Sequence, residues 1–120
     1  MNQNPIEPEV PAYHIELVER NESAALLKVG FVGSALGDTV LRSAVKAIEA
    51  VDLSGGGVVL INGPMTLPVA FVIAHKVLHL FTAVAVYDPK MNGYLVVASH
   101  GSKHNPGDLV QTSDFGIDAS

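Results

Sequence analysis

The sequence predicts a small α/β domain, in which one β-sheet is covered by two main helices. Three observations point to this class. The chain has 120 residues, of which 48% are hydrophobic and only 16% are charged, so it can bury a core and is unlike highly charged disordered chains. Short apolar runs of strand length alternate with two segments of helical periodicity. Clusters of Gly, Pro and Asn separate these segments. Such alternation is typical of α/β domains with two or three layers.

The first half of the chain is predicted to form two strands and one helix. Residues 1–11 contain three prolines and are expected to form a disordered lead-in. Residues 13–18 and 24–32 are apolar runs typical of strands. Residues 38–51 place apolar side chains at helical spacing, and Asp38 is a suitable N-cap.

The second half is predicted to supply the centre of the sheet. Residues 58–61 are an unbroken apolar run, typical of a strand buried on both faces. Thr66 can cap a second helix that runs to residue 80. That helix is apolar nearly all round, so it is expected to lie between layers or against a partner chain. Further strands are expected at residues 82–86, 94–98 and 108–111, which gives one domain over 12–111 and a flexible tail over 112–120.

Charge and hydropathy limit the partners and the location. The formal net charge of −5 argues against coating of duplex DNA, which needs a basic face. Residues 53–107 carry three lysines against Asp88 alone, together with four of the five histidines. This region would suit a small anionic ligand or a metal ion. No apolar run approaches the roughly 20 residues of a membrane helix, and no secretory signal is visible, so a cytoplasmic protein without a membrane partner is expected.

Four side chains in this region are candidate metal ligands. His75 and His79 are four residues apart and share one helix face. Asp88 follows a predicted strand and His100 ends the next, so both could converge near the helix end that carries His79. Two or three imidazoles and one carboxylate suit manganese or zinc. The alternative is that the histidines bond backbone carbonyls and that Asp88 forms the turn before Pro89.

The turn over residues 61–66 is a candidate ligand-binding turn. Gly63 would let the backbone approach a ligand, and the following helix start would offer N–H groups to an anion. The turn lacks the second glycine and the Lys-Ser/Thr pair of a P-loop. Lys90 and Lys103 lie in predicted loops, where an ammonium group can contact phosphate or simply be solvated.

Residues 58–110 resemble a known protein family. The segments that carry the resemblance are AHKVLH (residues 74–79), AVYDPK (residues 85–90), Ser99-His100 and Gly107-Asp108, with the Gly63-Pro64 turn upstream. They are similar to the small metal-dependent ring nucleases that accompany type III CRISPR systems. The run AVYDPK followed by SH is the most specific part.

The resemblance implies a Rossmann-like fold, distantly similar to CRISPR sensor domains, and assembly as a homodimer or a larger homo-oligomer. It implies a manganese-dependent phosphodiesterase (a nuclease) that linearises cyclic tetra-adenylate; family members also trim adenylate from RNA 3′ ends. The functional positions correspond to His75, His79, Asp88 and His100, of which the last three would hold the metal. The expected substrate-binding residues are Asn62, Gly63, Lys90 and Ser99.

Three hypotheses therefore follow from the sequence. The first is the enzyme, and the second is a sensor that holds the cyclic oligonucleotide without cleaving it. The third is an interaction domain that dimerises through the apolar helix and has incidental histidines. One domain of this size is too small to enclose a ring of four nucleotides, so the site is expected to span subunits.

Overall fold

The computed structural model describes residues 11–118, so the predicted lead-in lies almost wholly outside the described residues. Each predicted strand and helix is present, with boundaries shifted by a few residues. The sheet has six strands: β1 (Tyr13–Arg20), β2 (Ala24–Phe31), β3 (Val58–Asn62), β4 (Ala83–Asp88), β5 (Gly93–Ser99) and β6 (Leu109–Val110). The helices are α1 (Gly37–Ala50) and α2 (Leu67–Val77), and a 3₁₀ helix follows at Thr112–Phe115.

The strands lie in the sheet in the order in which they occur in the chain. β2, β3 and β4 are parallel and are joined through α1 and α2, whereas β1, β5 and β6 are antiparallel to their neighbours. Both crossovers step in the same direction along the sheet, and because such connections are right-handed, both helices lie on the same face. The domain therefore has a two-layer α/β architecture. Within residues 11–118, neither helix has the length and apolarity needed to cross a membrane.

The helix-covered face holds the larger of two cores. Each helix buries one stripe of side chains spaced four residues apart, as amphipathic helices do on a sheet. The sheet contributes every second residue of its parallel strands. The principal members are Val40, Ala44 and Ile48 of α1, Val69, Ile73 and Val77 of α2, and Leu27, Val59 and Val84 of the strands.

The opposite face of the sheet holds a second core, which the C-terminal segment (residues 111–118) covers. Leu26, Leu60, Ala85 and Val96 are paired in register across four strands and are at most 1% exposed. Ile117 is also 1% exposed, and the Asn21 side-chain amide donates to the Phe115 carbonyl at 2.7 Å. Residues 112–118 therefore pack against the domain instead of forming the flexible tail that the polar sequence predicted. An apolar sheet face needs such a cover, and Ile117 with Phe115 supplies it.

Two helix boundaries differ from the predicted ones. α1 starts at Gly37 with Leu36 as its N-cap, so Asp38 lies inside the first turn. The Thr39 N–H and the Arg42 guanidinium hold the pKa of the Asp38 carboxyl below its usual value. α2 ends at Val77, because the Val77 carbonyl accepts from both Leu80 and Phe81 at 3.0 Å and turns the chain toward β4.

α2 is more exposed than the sequence predicted for a helix that lies between layers. Leu67 and Phe71 are 75% and 73% exposed, so α2 buries one stripe within the chain and leaves the other side open.

Tyr13 links the start of β1 to the turn after β3 and gives a testable pH dependence. Its hydroxyl donates to the Pro64 carbonyl at 2.6 Å, and burial raises the pKa of Tyr13 to about 12 from 10.0. The unfolded chain releases this proton at lower pH, so the stabilisation is full below pH 10.0 and is lost as pH rises to about 12. The free energy of unfolding of Tyr13→Phe should therefore be about 1 kcal/mol lower than that of the unmodified chain at pH 8. That difference should shrink between pH 10 and 12 in urea titrations; a constant difference would contradict this role.

Candidate functional site

The carboxyl ends of β3 and β4 bring together four of the predicted residues. Ile61 pairs with Val86 in the parallel register, so the residues that follow each of them emerge side by side at one edge of the sheet. We call this group, Asn62, Gly63, Asp88 and Lys90, the aspartate end. Ligands of α/β sheets commonly bind beyond the carboxyl ends of the strands.

Gly63 is required by the close approach of β2. Its φ is +139°, and a Cβ atom at this position would collide with the Val29 carbonyl oxygen. The Tyr13 hydroxyl holds the next residue, Pro64. We expected a ligand to approach the backbone at Gly63, but the backbone of β2 lies there instead.

Asp88 forms the turn between β4 and β5, which was the alternative to a metal-binding role in the sequence analysis. Its Oδ1 atom accepts from the Lys90 N–H at 2.9 Å and from the Met91 N–H at 3.3 Å. Both hydrogen bonds use the same oxygen, so the carboxylate can keep the turn while Oδ2 binds another group. The side chain of Asp88 is half-buried and that of Lys90 is exposed at the turn.

The start of α2 offers less to an anion than the sequence predicted. Thr66 is the N-cap, and its hydroxyl accepts from the Val69 N–H at 3.3 Å. Pro68 has no N–H to donate. One of the helix-start donors is thus already bonded and another is absent.

The remaining predicted residues gather at the other end of the sheet. His75 and His79 are exposed, and their ring centroids lie 5.3 Å apart, which confirms the proximity expected from their spacing. His79 lies in the turn after α2. The His100 N–H donates to the Thr82 carbonyl at 2.8 Å, and Ser99 pairs with Ala83 at the start of β4. We call His75, His79, Ser99 and His100 the histidine end.

The expected convergence of Asp88 with His79 and His100 does not occur within one chain. β5 returns antiparallel to β4, so His100 lies beside the start of β4 while Asp88 lies at its end. Six residue steps separate Thr82 from Asp88, which is about 20 Å along a strand. α2 runs back along the sheet and delivers His79 to the His100 side.

The donor types suit manganese or zinc, but one chain does not assemble them. Among residues 11–118, no group of three or more His, Asp or Glu side chains is placed to hold a metal ion. The two ends of the sheet each carry part of the expected ligand set.

Asn62 has two neighbours that the sequence analysis did not single out. Lys28 is its register partner on β2, and Tyr94 on β5 lies close enough for the Asn62 side chain to affect the pKa of its hydroxyl. Burial raises the pKa of Tyr94, and the nearby Asn62 side chain opposes that rise. The available signal for Lys28 was a single cation inside the apolar run of β2, AALLKVGF.

Comparison with known proteins identifies a family. A family model described as CRISPR-associated protein (Cas_csx3) matches residues 36–111, more than half of the chain. The matched span contains α1, α2 and every residue of the aspartate and histidine ends. No curated protein matches the chain.

Proposed function

The chain belongs to the Cas_csx3 family of CRISPR-associated proteins, and from this we propose that it is a metal-dependent phosphodiesterase that degrades cyclic tetra-adenylate in type III CRISPR defence. The observation that carries the proposal is the match over the span that holds the AVYDPK and Ser-His segments. Those segments supply the aspartate and one histidine of the two ends described above.

The placement of the two ends supports a site formed between copies of the chain. Each chain presents Asp88 at one end of the sheet and His79 with His100 at the other. A head-to-tail contact would place the aspartate end of one copy against the histidine end of the next. A divalent ion, manganese by resemblance, would then be held by one carboxylate and two imidazoles from two chains. Bound there, it would stabilise charge on the scissile phosphate.

Lys90 and His75 would assist the cleavage of the phosphodiester. The exposed Lys90 ammonium would neutralise a phosphate oxygen at the aspartate end. His75, whose ring lies 5.3 Å from that of His79, would orient that imidazole or accept a proton from the nucleophile. Cleavage breaks one P–O bond of the ring, and the departing oxygen takes up a proton. Attack by a ribose 2′-hydroxyl would leave a cyclic phosphate end, whereas attack by water would leave a phosphate monoester.

Incubation with cyclic tetra-adenylate, with manganese and with chelator, tests this function. The proposal predicts linear products that form with manganese and disappear with chelator. Binding of the ring without cleavage would indicate the sensor, and an absence of binding would indicate the interaction domain. A linear RNA with a 3′ adenylate tail belongs in the same assay, since its shortening beside an intact ring would indicate an exoribonuclease.

A further inference from the structure

A row of four side chains crosses the sheet next to the second core. Lys28 pairs in register with Asn62, and Tyr87 pairs with Tyr94. The pairing of Ile61 with Val86 places Asn62 beside Tyr87. We call these four residues the polar row. At the usual strand spacing it spans about 14 Å.

The polar row lies on the face opposite the helices. Each member lies two residues along its strand from a buried residue of the second core, and alternate residues of a strand share a face. These buried residues are Leu26, Leu60, Ala85 and Val96. Tyr94 is buried, whereas Tyr87, Asn62 and Lys28 are half-buried. The C-terminal segment therefore leaves these three side chains partly accessible.

Asn62, Tyr87 and Tyr94 lie beside one another, and the fourth member, Lys28, is a cation with no carboxylate partner among residues 11–118. Asn62 lies close enough to the Tyr94 side chain to affect the pKa of its hydroxyl, and the rings of Tyr87 and Tyr94 make an edge contact with centroids 5.3 Å apart. Glu16 is the register partner of Lys28 on β1, yet no ion pair joins these two side chains within residues 11–118.

The polar row is continuous with the aspartate end. Asn62 directly precedes Gly63, and Tyr87 directly precedes Asp88. A nucleotide bound at the aspartate end can thus extend onto the open face, where it would meet a cation, a side-chain amide and an aromatic ring. These are the groups that proteins use for phosphate and for unpaired bases.

We propose that the polar row is a nucleotide-binding platform, in which Lys28 contacts a phosphate and Asn62 with Tyr87 contacts the adjoining base or ribose of an adenylate strand. The proposal rests on the proposed function and adds to it a substrate-binding surface.

Two further side chains on this face modulate the binding of an anion. His14 lies over Gly30, where a Cβ atom would approach its Nε2 to 2.8 Å, so an imidazole stands near Lys28. Glu16 opposes the binding of an anion.

Binding of labelled linear and cyclic tetra-adenylate, measured by fluorescence polarisation in chelator, separates this platform from catalysis. Lys28→Gln should weaken binding about tenfold and reduce the slope of affinity against salt by about one ion. Glu16→Gln should tighten binding about twofold, because a repelling charge is removed. Lys46→Gln removes the same charge from α1 on the helix side and should leave the affinity unchanged. Thermal melts of the three variants establish that each is folded.

The outcomes distinguish the platform from the proposed function. Equal effects of Lys28→Gln and Lys46→Gln, or no binding of either oligonucleotide by the unmodified chain in chelator, would overturn the platform even if manganese-dependent cleavage is found. A tenfold loss confined to Lys28→Gln would support the platform even if the unmodified chain cleaves nothing with manganese.

Discussion

Asp88→Asn is expected to lose cleavage of cyclic tetra-adenylate by about 100-fold or more while the domain stays folded. Asparagine keeps an oxygen that can accept from the Lys90 and Met91 N–H groups, so the turn between β4 and β5 persists. It removes the negative charge that the proposed metal site needs, and loss of such a ligand costs several kcal/mol of transition-state stabilisation. Steady-state cleavage rates with manganese, measured beside melting temperatures, check this expectation.

Asp88→Ala is the matched comparison, because it removes both the charge and the turn acceptor. It should lose the same activity and should also melt at a lower temperature, since two backbone N–H groups lose their partner. If Asp88→Asn cleaved at the normal rate while Asp88→Ala did not, Asp88 would have only the structural role.

Gly63→Ala is expected to destabilise the domain by about 3 kcal/mol or more, because two costs add. The φ of +139° is strained for any residue with a Cβ atom, and that atom would collide with the Val29 carbonyl oxygen. Relief would require β2 and β3 to move apart at the centre of the sheet. Urea unfolding measures the change directly, and the melting temperature should fall by on the order of 10 °C.

Gly33→Ala separates the two costs. Gly33 also has a positive φ, +67°, but a Cβ atom there would meet nothing within 4 Å. This variant should lose only about 1 kcal/mol, the cost of the left-handed backbone alone. Equal losses at Gly33 and Gly63 would show that the collision with Val29 contributes little.

Local patterning was sufficient to predict the fold. The apolar run at residues 58–61 became the central strand β3, and the helical spacing after residue 37 became α1, because both patterns reflect one dominant buried surface. The C-terminal segment was mispredicted for the converse reason. Its sequence is mostly polar, and Ile117 is buried only because a distant sheet face needs cover.

The candidate site could be predicted only as a set of residue types. The spacing of His75 and His79 gave their proximity correctly. The relation of Asp88 to His100 depends on the β4–β5 hairpin, whose register places them at opposite ends of one strand. Lys28 was overlooked because its proximity to Asn62 arises from pairing between strands far apart in the sequence.

Mixing two inactive variants tests most directly whether the site is shared between chains. His79→Ala retains Asp88, and Asp88→Asn retains His79, so a contact between the two variants can rebuild one intact site. At equal amounts and random assembly, about a quarter of the head-to-tail contacts would be intact. We predict that the mixture recovers about a quarter of the cleavage rate of the unmodified chain. A mixture as inactive as either variant alone would contradict the shared site.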